Sequence, residues 1–518
     1  MSQERELKFR LDPALHDVLR SHPVLLGLAP PPRVQALQSW YFDTADHALR
    51  NAGLALRVRH ADGAPRVLTL KSSPAHGLQL ERGEWEFVID ADTPNAAALQ
   101  RLQPTPLGAL GDAAALAGEL RAVLGTRVQR TAWQVPWQGS LLEVCLDVGQ
   151  ALGGTAADAP ALPLSEVEIE LLDGQWLHAF DLAWTLAQDM PLLLSSTSKV
   201  QMAARAAGTA PWQLPELARS LAPHERGGQA LAAALQQAAA VLASGAEMLH
   251  HGHAHADTVH QLRLQLRRLR VLLRLLQATG PRSQRAACKW LRSEWRWAGQ
   301  LLGAVRDVDV CLQQAASLAE TERSAVHRGL EHKRSARLQA LLAYLRSARF
   351  GRVLLAQARW AQSWGGAELA AARLPSGQLA RRLLRFHRDD LRLHPQRWAD
   401  LLAIWQSQAD SPGNAPWEAL HVLRLKAKQL RYALEWLAPW VDEALGKQGQ
   451  AWLKLTSTLQ ADLGDALDTL RLAQWVRETR ASHPGLGTTA GDDGVRLAFD
   501  QASRGLQRAW HAARGASR

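Results

Sequence analysis

The sequence predicts an α+β protein in two parts: an N-terminal antiparallel β-barrel with flanking helices, then an all-α region of two pseudo-symmetric helical bundles. Three observations predict it. The first 200 or so residues alternate with period two, the period changes to 3.6 from about residue 229, and the helical part repeats itself at a constant offset of 161 residues.

The strands come first. Glu4, Glu6, Lys8 and Arg10 alternate with Leu7 and Phe9. Arg57 and Arg59 oppose Leu54, Leu56 and Val58; Glu84 and Glu86 oppose Trp85, Phe87 and Ile89. Glu143 and Asp147 oppose Leu142, Val144 and Leu146, and Glu166, Glu168 and Glu170 oppose Val167, Ile169 and Leu171. Such alternation fits an antiparallel sheet with one wet face. It also fits a closed barrel with a charged lumen, in which inward and outward residues alternate on every strand. One face charged at nearly every position, with acids and bases on different strands, points towards the barrel. Residues 95–125 are rich in Ala and Leu and read as an inserted covering helix.

Gly208, Pro211, Pro215, Pro223 and Gly227-Gly228 mark a linker. Beyond it, amphipathic helices are expected at 229–250, 256–278, 284–316, 321–346, 377–391, 417–437 and 448–480. Sliding the chain by 161 residues lays His260, Arg263, Arg267 and Arg270 on His421, Arg424, Lys428 and Arg431, and also Gly303 on Gly464 and Asp307 on Asp468. On a helical wheel His260, Arg263, Arg267, Arg270 and Arg274 fall within about 80° of one another, a stripe about 21 Å long. Leu262, Leu266, Leu269, Leu273 and Leu276 take the opposite side. A row of cations with few acids on it repels itself unless an anion lies along it, and guanidinium forks match phosphate oxygens.

Charge divides along the chain in the same way. Residues 1–210 carry 17 Lys and Arg against 23 Asp and Glu, whereas the remainder carries 43 against 26. A basic C-terminal part implies a polyanionic partner. Nucleic acid fits it poorly, because no aromatic residues interleave the stripes for base stacking. The apolar runs are too short for a membrane helix, no signal peptide is evident, and three scattered cysteines suit a reduced cytoplasmic setting. His250, His251, His253 and His255 cluster without neighbouring carboxylates or cysteines to complete a metal site. His260 belongs instead to the basic stripe, since His421 matches it.

Two resemblances follow. Glu4-x-Glu6-x-Lys8 resembles the ExExK signature of the CYTH family, the triphosphate tunnel metalloenzymes. Tyr41 to Thr44, Leu56 to Arg59, Thr69 to Lys71, Arg82-x-Glu84-x-Glu86, Glu143 to Asp147 with Gly149, Glu166-x-Glu168-x-Glu170 and Ser198-Lys199 follow in the family's order. Lys8, Lys71 and Lys199 are the three lysines of this half, and all fall in those motifs. The segments His260 to Arg274, Gly303 to Asp309, His421 to Tyr432 and Leu459 to Asp468 resemble the CHAD family of helical domains. The second copy departs from the first in carrying Gln429 for Arg268 and Leu467 for Arg306.

The resemblances imply a CYTH tunnel domain over 1–208, a linker over 209–228 and a CHAD domain over 229–515, with repeats at about 229–345 and 377–515. The order CYTH then CHAD is similar to that of bacterial inorganic triphosphatases. It implies hydrolysis of inorganic triphosphate, with Glu4, Glu6 and Lys8 at the catalytic centre. Glu4, Glu6, Asp147, Glu168 and Glu170 are expected to hold Mg2+ or Mn2+, since hard cations take oxygen ligands. Lys8, Arg57, Arg59, Lys71, Arg82, Arg130 and Lys199 are expected on phosphate oxygens. His260, Arg263, Arg267, Arg270, Arg274, His421, Arg424, Lys428 and Arg431 are expected on polyphosphate, which could also localise the protein to polyphosphate granules. The alternatives are a thiamine triphosphatase or nucleotide cyclase on the same barrel, and a non-catalytic polyphosphate-binding scaffold.

Overall fold

The computed structural model describes residues 2–72, 78, 80–215, 227–279, 282–315, 320–365, 415–442 and 449–458, with a few isolated positions after 370. Eight antiparallel strands form a closed barrel: β1 (Ser2–Arg10), β2 (Arg33–Asp43), β3 (Leu54–Ala61), β4 (Arg66–Ser72), β5 (Glu81–Ile89), β6 (Arg121–Trp137), β7 (Ser140–Leu152) and β8 (Ala161–Asp173). Their order is β5-β4-β3-β2-β6-β7-β8-β1, and β1 pairing back to β5 closes the ring. The closure divides β1: Ser2 to Arg5 pair with β5, and Glu6 to Arg10 pair with β8. A short β9 (Leu193–Leu194) adds to the end of β1. Full closure removes the exposed strand edges of an open sheet.

Closure also settles which face is wet. Glu4, Glu6, Lys8, Arg57, Arg59, Glu168 and Glu170 line the lumen. Leu7, Phe9, Val144, Val167 and Ile169 point outward and are fully buried. The helix α6 (Trp176–Asp189) covers part of that outer face against β1 and β8. The covering segment after β5 is three short pieces rather than one helix: α4 (Ala96–Gln100), a 3-10 turn (Pro106–Leu110) and α5 (Ala113–Glu119). Pro104 and Pro106 stop α4 from running on, and Asp112 starts a fresh cap on Ala114 and Ala115. Leu99, Leu107 and Leu116 seal the outer side of Leu56, Leu68 and Leu70. The segment ends sooner than the composition suggests, because β6 begins at Arg121.

The helical part contains α8 (Gly227–His250), α9 (Ala256–Thr279), α10 (Arg285–Ala315), α11 (Glu320–Leu345), α12 (Ala348–Gly365) and α13 (Ala415–Trp436). Helix α12 is absent from the sequence expectation. Its Gly351 leaves no room for a side chain, since a Cβ there would stand 2.2 Å from the Leu192 carbonyl oxygen. The helices expected at 377–391 and 448–480 lie largely outside the described residues. The compact units do not follow chain order. One comprises Met1–Glu216 together with Leu235–His253 and Tyr344–Gln362, so most of α8 and α12 belongs with the barrel; the other contains α9, α10 and α13.

Within that second unit the repeat has an atomic counterpart. Arg263 lies over Gly303 and Arg424 over Gly464, with a Cβ at the two glycines 3.6 and 2.9 Å from the guanidinium groups. Arg274 donates to Gln429 at 2.6 Å, and Arg268 meets Glu435 at 3.9 Å. Shifted by 161 residues, positions 268 and 274 become 429 and 435, so the two contacts are the same contact seen from both copies. That reciprocity is the mark of a pseudo-two-fold axis between α9 and α13.

The barrel's tightest backbone approach is at Gly149, where a Cβ would stand 2.0 Å from the Arg127 carbonyl oxygen. Gly149→Ala is expected to cost roughly 1–3 kcal/mol or more of stability as strands β6 and β7 are forced apart. Urea unfolding measures this, and an unchanged midpoint would contradict the packing described.

Candidate active site in the barrel tunnel

The lumen forms a cavity of about 380 Å3. Glu4, Glu6, Glu84, Glu86, Glu143, Glu168 and Glu170 supply its acids, and Lys8, Arg33, Arg57, Arg59, Lys71, Arg82, Arg130 and Lys199 its cations. The strand registers bring them together. Glu6 stands across from Glu170 and Lys8 across from Glu168 on β8, while Glu170 stands across from Glu143 on β7. Lys199 arrives from a separate element, the first residue of α7 (Lys199–Ala206), held by a capping box between Ser198 and Gln201.

Two ion networks divide the cavity. In the first, Lys199 Nζ stands 2.7 Å from Asp147 Oδ2, 2.5 Å from Glu166 Oε1 and 2.7 Å from Glu168 Oε1. Arg130 grips Asp147 through two bonds of 2.7 and 2.6 Å and reaches Glu168 at 2.6 Å. Lys8 adds a contact of 3.1 Å to Glu168. Burial alone would raise the Glu168 and Asp147 carboxyls, but these cations hold both below the usual range. Burial likewise opposes the Lys199 charge, yet Asp147, Glu166 and Glu168 keep its ammonium well above the ordinary lysine value.

In the second network Lys71 Nζ meets both Glu4 oxygens, at 2.7 and 2.8 Å, and Glu84 at 3.1 Å. Arg82 bridges Glu4, at 2.6 Å, and Glu6. Against the pull of burial, Lys71 and Arg82 hold the Glu4 carboxyl far down. Arg59 leans on Glu86 at 3.3 Å.

Two groups fall outside these networks. The buried Nε of Arg57 has no hydrogen-bond partner. Glu170 has no cation within ion-pair distance among the described residues; burial and the charges of Glu4 and Glu6 push its carboxyl up to about 8. The site thus has an anion acceptor and a cation ligand to spare.

A divalent cation can be placed by the same geometry. The oxygens of Asp147, Glu166 and Glu168 lie within 4.8 Å of one another, a spacing that suits a metal. The Lys199 ammonium already stands among them, and a metal and that ammonium cannot share the space. Glu6 stands across from Glu170, which has no cation within ion-pair distance among the described residues, so this side of the lumen also offers carboxylate oxygens, with Glu4 and Glu6 now paired to Lys71 and Arg82. Asp147 and Glu168 contact Lys199 and Arg130 in this structure.

The helical unit presents a second charged surface. Arg263, Arg267, Arg270 and Arg274 of α9 are half-buried. They face α10, which runs antiparallel: Arg263 meets Gly303, Arg270 lies 3.8 Å from a Cβ at Gly299, and the charge of Arg292 is felt beside Arg274. Arg292, Arg296 and Arg306 therefore join the band; of these the sequence expectation names only Arg306, as a difference between the copies. Their spacing with Gly299 and Gly303 follows the same three-and-four step as the α9 stripe and could have shown it. Burial and then the Arg296, Arg292 and Arg267 charges lower the Arg270 pKa, and burial with Arg306 lowers that of His260. Arg263 is tied to Asp307 at 3.1 Å.

The second copy differs. Arg431 is paired with Glu435 at 2.7 Å, so an acid interrupts a stripe that the sequence reading took as almost free of acids. Lys428 is buried and Arg424 half-buried; the His421 side chain lies outside the described residues. In the histidine cluster, His251 and His253 stack on Trp212 with centroids 4.5 and 5.0 Å apart, and Arg205 covers that ring at 4.0 Å. The buried Nε2 of His250 has no partner, and burial, then Arg346 and His251, push its pKa down to about 4.

A closed antiparallel barrel with a lumen of apposed acids and cations, joined to a helical pair with a basic band, defines a two-domain tunnel protein. Residues 2–204 match the family model of the CYTH domain and residues 229–477 that of the CHAD domain, so the chain is a CYTH–CHAD protein. It is 30% identical over 204 residues to an inorganic triphosphatase of Haemophilus influenzae, a match covering 39% of this chain and 54% of that one. The chain thus matches about half the length of that relative. Among solved structures it is similar to an adenylyl cyclase candidate from Hippeastrum described by a dominant triphosphatase activity, at 23% identity and TM-score 0.30, covering 39% of this chain and 95% of that one. It is also similar to the CHAD domain of the plant Ricinus communis, at 21% identity and TM-score 0.41, covering 57% of this chain and 96% of that one. No described helix is long and apolar enough to cross a membrane.

Glu170 gives a pH prediction. Its carboxyl titrates near 8 in the folded chain against an ordinary 4.5, so the unfolded chain loses that proton first and stability falls as pH rises through that window. Without added metal, Glu170→Gln is expected to raise the melting temperature at pH 9 and change it little at pH 4. Equal shifts at both pH values would count against the assignment.

Proposed function

We propose that the tunnel binds inorganic triphosphate with Mg2+ or Mn2+ and hydrolyses it to pyrophosphate and phosphate. The observation that carries this is a pair of unmet groups in one cavity: a buried Arg57 Nε with no hydrogen-bond partner and a Glu170 carboxyl with no cation within ion-pair distance among the described residues. A metal–triphosphate complex supplies what each lacks. The similarity to an inorganic triphosphatase of Haemophilus influenzae supports the same reading.

The chain's own residues have separable tasks. Arg57 and Arg59 project from β3 into the cavity and are placed to take phosphate oxygens. Lys71 and Arg82, which now neutralise Glu4 and Glu6, turn to phosphate as it enters, freeing those carboxylates. Glu4, Glu6 and Glu170 would hold the metal, which when bound neutralises charge on the transferring phosphoryl group and its bridging oxygens. Lys8, Arg130 and Lys199 are kept charged and immobile by Asp147, Glu166 and Glu168, so little reorganisation is needed as negative charge shifts to the leaving group.

The α9/α10 band, with His260, Arg263, Arg267, Arg270 and Arg274 opposite Arg292, Arg296 and Arg306, is read as the main polyphosphate-binding face. Arg424, Lys428, Arg431 and His421 form a weaker counterpart because Glu435 neutralises part of it. Its role would be to concentrate polyphosphate near the enzyme or to hold the enzyme on polyphosphate granules.

Phosphate release from tripolyphosphate with Mg2+ or Mn2+ tests the tunnel. Activity is expected to need the metal and to fall at least about a hundredfold in Glu4→Ala/Glu6→Ala, the scale of losing preorganised electrostatic groups. Metal-independent release, or full activity in the double variant, would overturn the mechanism. For the helical band, Arg270→Ala/Arg296→Ala should weaken long-chain polyphosphate binding and flatten its salt dependence, while Arg424→Ala changes it less. Equal losses would place the two copies on a par.

A further inference from the structure

One buried acid beside the barrel comes from the helical segment and reaches residues that hold the tunnel's cations. Glu247 lies on α8, within the Leu235–His253 stretch that is compact with the barrel, and is almost wholly buried. Its Oε1 accepts from Arg10 Nε at 2.8 Å, and its Oε2 accepts from Thr197 Oγ1 at 2.6 Å. One turn earlier Ser244 meets Ser196 at 3.1 Å. Burial would raise the Glu247 carboxyl, but Arg10, Thr197 and Arg205 hold it below the usual range.

Both partners lead to Lys199. Arg10 Nη1 binds Glu166 at 3.1 Å, and the other oxygen of Glu166 stands 2.5 Å from Lys199 Nζ. Thr197 lies two residues before Lys199, next to the Ser198 that caps its helix. Glu247 therefore acts on one ammonium by two routes, through a chain of charges and through the backbone that carries it.

We propose that Glu247 is a positioning residue of the tunnel: it shares Arg10 with Glu166 and anchors the 195–198 segment, fixing where the Lys199 ammonium stands. The inference rests on the reading of Lys199 as a phosphate ligand. With the Glu247 charge removed, Arg10 keeps a single carboxylate partner and is drawn onto Glu166. Glu166 then releases part of its hold on Lys199, and the ammonium shifts towards Asp147 and Glu168. Helix α8 belongs largely to the segment matched to the CHAD family, so a residue of that segment supports the tunnel from behind its lining.

The opposing reading is that Glu247 only fastens α8 to the barrel. Glu247→Gln separates the two, because it keeps the size and an oxygen for Thr197 and removes the charge. Arg359→Ala, which breaks a peripheral pair with Asp181 at 2.9 Å, serves as a fastening control. In the full chain three quantities are measured: tripolyphosphate KM and kcat, melting temperature, and the rate at which limiting acetic anhydride labels Lys199 relative to Lys71. The expected result for Glu247→Gln is a KM raised about tenfold with kcat within about twofold, and labelling of Lys199 several-fold faster while Lys71 is unchanged. Glu247→Asp should recover part of both, and Arg359→Ala should lower only the melting temperature. A Glu247→Gln protein with a lower melting temperature but unaltered KM and Lys199 labelling overturns the proposal. If the wild type releases no phosphate, the triphosphatase reading fails by itself, and the labelling ratio still decides the role of Glu247.

Discussion

Everything in the tunnel follows from the need to neutralise charge at short range inside a closed barrel. Lys199 held among Asp147, Glu166 and Glu168, with Arg130 closing on two of them, is the densest expression of it. Ions taken out of water are tolerable only when paired and hydrogen-bonded. The outward hydrophobic face folds the barrel; the inward face decides what the barrel can hold. Removing one member of such a set leaves its partner as an uncompensated buried charge, so these residues are coupled and their substitutions will not add.

The same constraint gives the site its chemistry. One network is saturated and rigid, built on Lys199. The other, built on Glu4, Lys71 and Arg82, is neutral by mutual pairing between groups that each suit a different part of a metal–phosphate complex. In the proposed function, an exchange of partners, carboxylates to metal and cations to phosphate, needs no new charge to be buried uncompensated. In that proposed function the unpartnered Nε of Arg57 and the carboxylate of Glu170 mark the two ends of that exchange.

Much of this was legible in the sequence. Period-two alternation located the strands, and the charge on one face of β1, β3 and β8 gave the lumen residues before any register was known. The pairing that closes the barrel was not legible, because β1 pairs with β5 at one end and β8 at the other, and no local pattern encodes a strand that changes partner. Nor was the pairing of Asp147 and Glu168 with Lys199, which depends on how near the start of a separate helix comes. The 161-residue repeat was visible, whereas the Arg431–Glu435 pairing that makes the copies unequal was overlooked at a simple i,i+4 spacing. Helix α12 and the membership of α8 in the barrel unit were hidden, because an Ala- and Leu-rich helix face carries no record of which core it will join. Glu247 was hidden for the same reason.

The most direct test of the account is a crystal structure grown with Mn2+ and a non-hydrolysable triphosphate analogue, with the metal located by its anomalous signal. The account predicts Mn2+ against Glu170 with Glu6 or Glu4, phosphate oxygens on Arg57, and Lys71 and Arg82 turned from Glu4 towards the ligand, with Lys199 still between Asp147 and Glu168. Manganese among Asp147, Glu166 and Glu168 with Lys199 displaced, or a triphosphate bound with the Glu4 pairs intact, would contradict it.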